Sequence, residues 1–191
     1  MSFRSLVGRI KLNQLKNRME PQQLAFPSSL AGPKHILVCL PGGLRELTLL
    51  KQFLPTIKEM FKATEITLLS QPGVRVNDIY PRRGFHILSP SADQMTWTGL
   101  PKASYIKMLK EYEFDLVLDL NLEPSPFTSA ILLSFPAAVR VGRGNQLGKP
   151  FYNLEIKTRY LRDERNIYRS MLKTLSIIKS AGDPSSVGSA N

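Results

Sequence analysis

The chain has 191 residues, a formal net charge of +11 and 42% hydrophobic residues. Its length suits one domain, or two only if both are small, and its hydrophobic content is sufficient for a core. The charge predicts an anionic partner, such as a phosphorylated sugar or lipid, a membrane surface or nucleic acid; the alternative is a general contribution to solubility. The single cysteine, Cys39, excludes an intramolecular disulfide framework and a cysteine zinc site. No apolar run approaches the ~20 residues that span a bilayer, and no secretory signal peptide is recognisable.

The first twenty residues form a basic amphipathic stretch that predicts a helix ending at Pro21. We expect this helix to dock on an anionic membrane or on a larger complex; the alternative is a helix that covers the domain's own core. The segment 22–34 is rich in proline and serine, which predicts a linker. The residues that would make the docking contact are Phe3, Arg4, Leu6, Val7, Arg9, Ile10 and Lys11.

The strongest element is the apolar run Ile36–Leu40, which predicts a strand buried on both faces of a parallel sheet. Pro41, Gly42 and Gly43 end the strand and make a turn. Apolar residues at helical spacing from Leu44 to Leu54 then predict a helix. A strand, a glycine turn and a helix form the opening unit of a Rossmann-like domain, whose helix N-terminus can bind an anion.

Strands and helices alternate along the rest of the chain. The sequence predicts further strands at 63–70, 85–88, 114–120, 138–142 and 151–156, and helices at 74–78, 105–112, 128–135 and from Asp163 onward, with an irregular loop at 91–99. This alternation predicts a single α/β domain, an open and mostly parallel sheet with right-handed crossovers. We therefore divide the chain into an extension and linker at 1–33, a Rossmann-like domain at 34–180 and a flexible tail at 181–191.

Three of these segments resemble the N-terminal domain of glycosyltransferase family 9, the lipopolysaccharide heptosyltransferase type. The turn Gly42–Glu46 resembles the family's G-x-L-G-D, Phe114–Leu120 resembles its "YDLVIDL" strand, and Ala138–Gly142 resembles the short strand that ends its domain core. The resemblance extends over roughly residues 34–179. The turn departs from the family's pattern at two positions, because it has Arg45 in place of glycine and Glu46 in place of aspartate.

The resemblance implies one half of a GT-B fold, in which two Rossmann-like domains face each other across a cleft. It makes Glu46 the counterpart of the base that deprotonates the acceptor hydroxyl. The alternative is that Glu46 is a first-turn acid that complements the helix dipole. The nucleotide-sugar half of such an enzyme is expected to be absent from this chain, so we expect that the chain alone does not transfer sugar.

The candidate acceptor or anion site combines the turn with residues at the ends of two later strands. Asp119 lies near the C-terminal end of its strand, where α/β domains bind ligands; the alternative is a hydrogen-bonded loop acid. The basic residues could hold phosphate groups, or they could form a solvated rim. The residues of this site are Gly42, Gly43, Arg45, Asp119, Arg140, Arg143 and Lys149. No residue pattern predicts a metal site, a P-loop or a bound cofactor.

Two functional hypotheses remain. The first is a non-catalytic, glycosyltransferase-like binding or assembly subunit of a larger complex. The second is an acceptor-binding subunit that acts on a phosphorylated glycolipid in lipopolysaccharide or cell-envelope glycan synthesis, with a separate donor-binding partner. Both predict a cytoplasmic protein, peripheral on the inner face of the membrane. A nucleic-acid partner is disfavoured, because the sequence has no basic strand studded with aromatic residues.

Overall fold

A single parallel sheet forms the centre of the molecule. A computed structural model describes residues 3–19, 24–30, 32–62, 64–80 and 84–182, with the backbone alone at 3–5. The six strands lie in the order 3-2-1-4-5-6, and all five pairs are parallel. The strands are β1 (His35–Cys39), β2 (Glu65–Leu69), β3 (His86–Leu88), β4 (Leu116–Asp119), β5 (Val139–Arg143) and β6 (Leu154–Ile156). This order is that of a Rossmann fold, and it confirms the predicted fold class.

Helices cover both faces of the sheet. They are α1 (Phe3–Asn17), α2 (Leu44–Lys51), α3 (Leu54–Met60), α4 (Ala103–Lys110), α5 (Pro126–Ser134) and α6 (Glu164–Ala181). Side chains of α2, α3 and α6 pack on one face, and those of α4 and α5 pack on the other. The helix α1 lies on the second face, against α5.

The central strand β1 is buried on both sides, as its unbroken apolar run predicts. Ile36 and Val38 pack under α2 and α6, whereas Leu37 and Cys39 pack under α4 and α5. Successive side chains of a strand point to opposite faces, so a strand between two helical layers needs apolar residues at every position.

Two predicted helices differ from the structure. The helix expected from Leu44 through Leu54 is divided into α2 and α3, with a turn at residues 52–53. The cause is Pro55, which has no N–H to donate and whose ring would clash with the carbonyl of Lys51 in a continuous helix. The helix expected at 74–78 is a series of turns, in which Val76 anchors the segment to the core.

The predicted start of the last helix is confirmed. Asp163 is its N-cap and accepts a hydrogen bond of 3.0 Å from the N–H of Asn166. The helix continues to Ala181, so the start of the predicted tail is helical, and residues 183–191 lie outside the described residues. Pro21, the predicted end of the first helix, also lies outside them.

Candidate functional site

The strand order places a topological switch point between β1 and β4. From β1 the chain proceeds to β2 on one side, and it later returns to β4 on the other side. The turns that follow these two strands therefore leave in opposite directions, which opens a crevice above the carboxyl ends of the strands. The predicted turn of Gly42 and Gly43 lies on one side of this crevice, and Asp119 at the end of β4 lies on the other.

Glu46, the candidate base, folds back over the start of its own helix. Gly43 is the N-cap of α2 with an extended backbone, and Glu46 is the third helical residue. Its carboxylate accepts a hydrogen bond from the backbone of Gly43, which is one half of a capping box. A Cβ atom added to Gly43 would lie only 3.1 Å from an oxygen of Glu46. Glu46 is thus an acid in the first turn of α2, as its alternative interpretation predicts, and it also bonds back to the N-cap.

The electrostatic environment of Glu46 raises its pKa. The main cause is burial, and the carboxylate of Glu164 adds to it, whereas the bond to Gly43 acts in the opposite direction. Arg45, which stands where the family has glycine, is largely exposed and places its Nε 3.3 Å from Glu164 Oε2. A carboxylate with a raised pKa suits a general base, so the catalytic role stays a prediction.

Across the crevice, polar side chains bond to one another. Gln71 follows β2 and donates to the Leu40 carbonyl at 3.0 Å, to Asn121 Oδ1 at 3.1 Å and to Thr128 Oγ1 at 2.8 Å. Ser125 caps α5 and donates to Gln71 Oε1 at 2.8 Å. These contacts use the polar groups that the carboxyl ends of the strands would otherwise offer to a ligand. We call Gln71, Asp119, Asn121, Ser125, Thr128 and Tyr152 the strand-end network.

Asp119 is the buried carboxylate of the network. Its carboxylate accepts from the Tyr152 hydroxyl at 2.7 Å, from the Asn121 side chain at 2.6 Å and from the Asn121 N–H at 3.0 Å. Burial raises the pKa of Asp119, and the three hydrogen bonds oppose that effect. The predicted alternative of a hydrogen-bonded acid therefore describes its environment.

Tyr152 reaches Asp119 because β5 has a glycine at the crossing point. A Cβ atom on Gly142 would lie 2.2 Å from the Tyr152 ring, which no side chain tolerates. Gly142 thus has a packing role that the sequence resemblance alone does not explain.

Arg140 and Arg143 both donate to the main chain. Arg140 is buried, and its guanidinium donates to five carbonyl oxygens, those of Phe135, Pro136, Ala138, Pro150 and Phe151. Burial lowers the pKa of Arg140. Arg143 donates to the carbonyls of Leu122 and Leu161 at 3.2 and 3.3 Å. These contacts give Arg140 a structural role, and Lys149 is exposed; anion binding by these residues stays a prediction.

The helix α1 packs on its own domain. The face that it uses for this contact is not the face predicted for docking. Gly8 is buried, with the carbonyl of Thr98 3.5 Å from where a Cβ atom would lie, and Leu12 and Met19 pack against the core under α4 and α5. Leu6 and Ile10 point outward and remain 47% and 50% exposed. Among the other predicted docking residues, Arg9 and Lys11 are exposed, Val7 is half-buried, and the side chains of Phe3 and Arg4 lie outside the described atoms.

The structure also contains a groove that the sequence analysis missed. It lies between α1, α4 and α5 and has a volume of about 870 Å³. Lysines one turn apart on α4, Lys107 and Lys110, line it beside Ile106. This spacing was visible in the sequence, but the position of α1 above these residues was not.

The described part of the chain contains neither a metal-binding cluster nor a membrane-spanning helix. No group of three or more His, Cys, Asp or Glu side chains is placed to hold a metal ion there. None of its helices is both long enough and apolar enough to cross a bilayer.

Comparison with known families places the chain. Residues 81–178 match DUF6913, a family of unknown function. The chain belongs to DUF6913. The match includes Asp119, Arg140 and Tyr152, whereas α1 and the turn with Glu46 precede it. A comparison with curated proteins found no match.

Solved structures share the fold. The E. coli heptosyltransferase WaaC, solved with ADP, aligns with a TM-score of 0.56 at 11% identity, over 73% of this chain and 46% of that one. A glycosyl transferase of family 9 from Veillonella parvula aligns with a TM-score of 0.53 at 17% identity, over 82% of this chain and 43% of that one. The chain therefore spans less than half the length of either protein. At these identities the likeness shows the fold, and it confirms a Rossmann-like domain similar to part of a glycosyltransferase.

Proposed function

We propose that this domain is a glycosyltransferase-like binding or assembly subunit that does not itself catalyse transfer. One observation carries the proposal. The polar side chains of the strand-end network hydrogen-bond to one another at the place where a Rossmann-like domain normally binds its ligand. A ligand there would have to displace buried hydrogen bonds, each of which leaves an unsatisfied group when it breaks.

The chemistry of sugar transfer supports the same proposal. Transfer needs two substrates held in line and positive groups that stabilise the departing diphosphate. In this domain Arg140 and Arg143 donate to main-chain carbonyls. Glu46 folds back onto Gly43.

The test is a transfer assay with an ADP-activated heptose and a phosphorylated glycolipid acceptor. We expect no turnover from the purified chain, from Glu46→Gln or from the control Glu59→Gln, which changes an exposed acid of α3. Turnover by the parent that falls at least tenfold in Glu46→Gln alone, with an unchanged melting temperature, would overturn the proposal.

The raised pKa of Glu46 favours a second candidate, an acceptor-binding subunit whose donor site lies on another protein. This candidate predicts turnover only when a nucleotide-sugar-binding partner is added to the chain. It also predicts that Glu46→Gln abolishes that turnover while the two proteins still associate.

The outer face of α1 is the surface we propose for docking to an anionic membrane, on its cytoplasmic side. Leu6 and Ile10 form an exposed apolar strip. By helical spacing, Arg9 and Lys16 lie on one flank of this strip, with Lys11 and Arg18 on the other, and the helix contains no acidic residue. An apolar strip between two cationic flanks suits a helix that lies in the plane of an anionic bilayer.

Vesicle co-sedimentation tests this surface. We expect the protein to bind anionic vesicles, to bind zwitterionic vesicles less, and to lose binding as salt rises. The double variant Leu6→Ser with Ile10→Ser should abolish sedimentation, whereas the control Leu161→Ser, at a 78% exposed leucine next to Arg162, should not. If the parent ignores anionic vesicles and instead forms a salt-resistant complex with a protein, the contact is with a larger assembly.

A further inference from the structure

The groove between α1, α4 and α5 has an apolar lining. It has a volume of about 870 Å³ and is open to solvent. Helix α1 contributes Leu15, α4 contributes Ile106, and α5 contributes Leu133. Leu15 remains 37% exposed, so the groove leaves apolar surface in contact with water.

The same groove is positively charged. Lys11 lines it from α1, Arg18 lines it from the turn that follows α1, and Lys107 and Lys110 line it from α4. Among the described residues that line the groove there is no carboxylate, and the ion pairs of the described chain lie elsewhere. Four cations beside an apolar surface are complementary to a ligand that has both an anionic group and a hydrocarbon part.

We propose that this groove binds the acyl chain of an anionic amphiphile, with the carboxylate or phosphate of the ligand between the cations of α1 and α4. The site is separate from the strand-end network. It shares Lys11 and Arg18 with one flank of the outer strip, but it does not use Leu6 or Ile10, which are not among its lining residues.

The charge and lining of the groove, rather than its size, favour an anionic amphiphile. An α-helix with its side chains is about 10 Å wide and 5.4 Å long per turn, or roughly 400 Å³ per turn. The groove thus equals about two turns, which is also the length spanned by anchors at i, i+3, i+4 and i+7. A partner helix is therefore the competing occupant, and peptide displacement tests for it.

Titration calorimetry with alkyl carboxylates of increasing length, each below its micelle concentration, tests the proposal. We expect saturable binding of one ligand per chain, with an affinity that rises about fourfold for each added methylene. Acetate and inorganic phosphate should show no saturable binding, because the hydrocarbon part provides most of the affinity.

Two variants separate the two halves of the site. Lys107→Glu with Lys110→Glu should weaken dodecanoate binding at least tenfold and leave dodecanol binding unchanged. Ala103→Trp, at an exposed lining position, should fill the groove and weaken both ligands. The matched control is Lys51→Glu with Lys173→Glu, which reverses two exposed lysines of α2 and α6 on the other face of the sheet and should change neither affinity.

Several results would overturn the proposal. They are an absence of saturable dodecanoate binding, an affinity that does not depend on chain length, and an equal loss in the control variant. Displacement of dodecanoate by an acidic amphipathic peptide that binds more tightly would assign the groove to a protein partner instead. Failure of the vesicle experiment with Leu6 and Ile10 would leave this site unaffected, so the two proposals fail separately.

Discussion

The strand-end network and the α1–α4–α5 groove differ in whether their polar side chains bond to one another. In the network, the side chains of Gln71, Asn121 and Asp119 bond to one another and to the main chain. In the groove, Lys107 and Lys110 lie beside apolar surface with no carboxylate among its described lining residues.

The difference shows where this domain keeps binding capacity. A Rossmann-like domain normally offers its strand ends to a ligand, but here the fold itself uses those groups. Among the described residues, the four cations that line the groove form no ion pair with the fold. We therefore expect substitutions in the network to change stability, and substitutions in the groove to change binding.

The largest effect should come from Arg140→Met, which removes the donors to five main-chain carbonyls. Buried acceptors left without partners should lower the free energy of unfolding by about 3–5 kcal/mol, as measured by urea denaturation. Arg143→Met is the matched control, with two carbonyl partners and a half-buried side chain, and should cost about 1 kcal/mol. Equal stability of Arg140→Met and the parent would show that Arg140 does not stabilise the fold.

Tyr152→Phe should cost about 1–3 kcal/mol at neutral pH, because the buried carboxylate of Asp119 loses a donor. Burial raises the folded-state pKa of Asp119, so the ionised carboxylate destabilises the fold above that pKa and is neutralised as pH falls through it. The difference between variant and parent should therefore shrink on acidification, as denaturation across a pH series would show. The control Tyr160→Phe should stay close to the parent, and a pH-independent loss would mean that packing of the ring, rather than the hydrogen bond, matters.

Glu46→Gln should raise stability at neutral pH by less than about 1 kcal/mol, since solvent screens a partly exposed group. The folded-state pKa of Glu46 is raised, so its ionised form is disfavoured above that pKa. The gain should decline as pH falls through the folded-state pKa and vanish at the lower pKa of the unfolded chain. Glutamine can still accept from Gly43, as in a capping box. A variant that is less stable than the parent at neutral pH would show that the charge of Glu46 stabilises the helix dipole.

The smallest effect on stability should come from Lys107→Glu with Lys110→Glu, within about 0.5 kcal/mol of the parent. These side chains lie on the exposed side of α4. Thermal melting checks this expectation. A large loss of stability would show that the fold depends on the groove cations, and the two regions would then not differ in this respect.

The fold was predictable where a strand is buried on both faces, because such burial requires an unbroken apolar run. The apolar runs of β1 and β4 predicted the central strands, and Asp163 marked the start of α6. The break in the helix at Pro55 was harder to predict, because the apolar residues keep their helical spacing on both sides of the proline. The turns near Val76 contain apolar residues that anchor a loop, a pattern that resembles one turn of a helix.

The candidate site was predictable only in part, because its members are distant in sequence. Gln71 and Thr128 lie fifty-seven positions apart and meet only because β2 ends and α5 begins at the same edge of the sheet. The burial of Arg140 depends on carbonyls from a loop whose path no local pattern encodes. The contact of α1 with its own domain was not predictable, because Gly8, which counts as neither apolar nor basic, is the residue that approaches the domain.

The position of the one thiol has a practical consequence. Cys39 lies at the end of the central strand, is 1% exposed, and has a pKa raised first by burial and then by the charge of Asp119. A thiol reacts as its thiolate and only when a reagent can reach it. Alkylation of this chain therefore has to await separation of β1 from its helical layers, so the labelling rate measures how often the centre of the sheet opens. Cys39 is therefore a native probe of this opening, and no engineered label is needed.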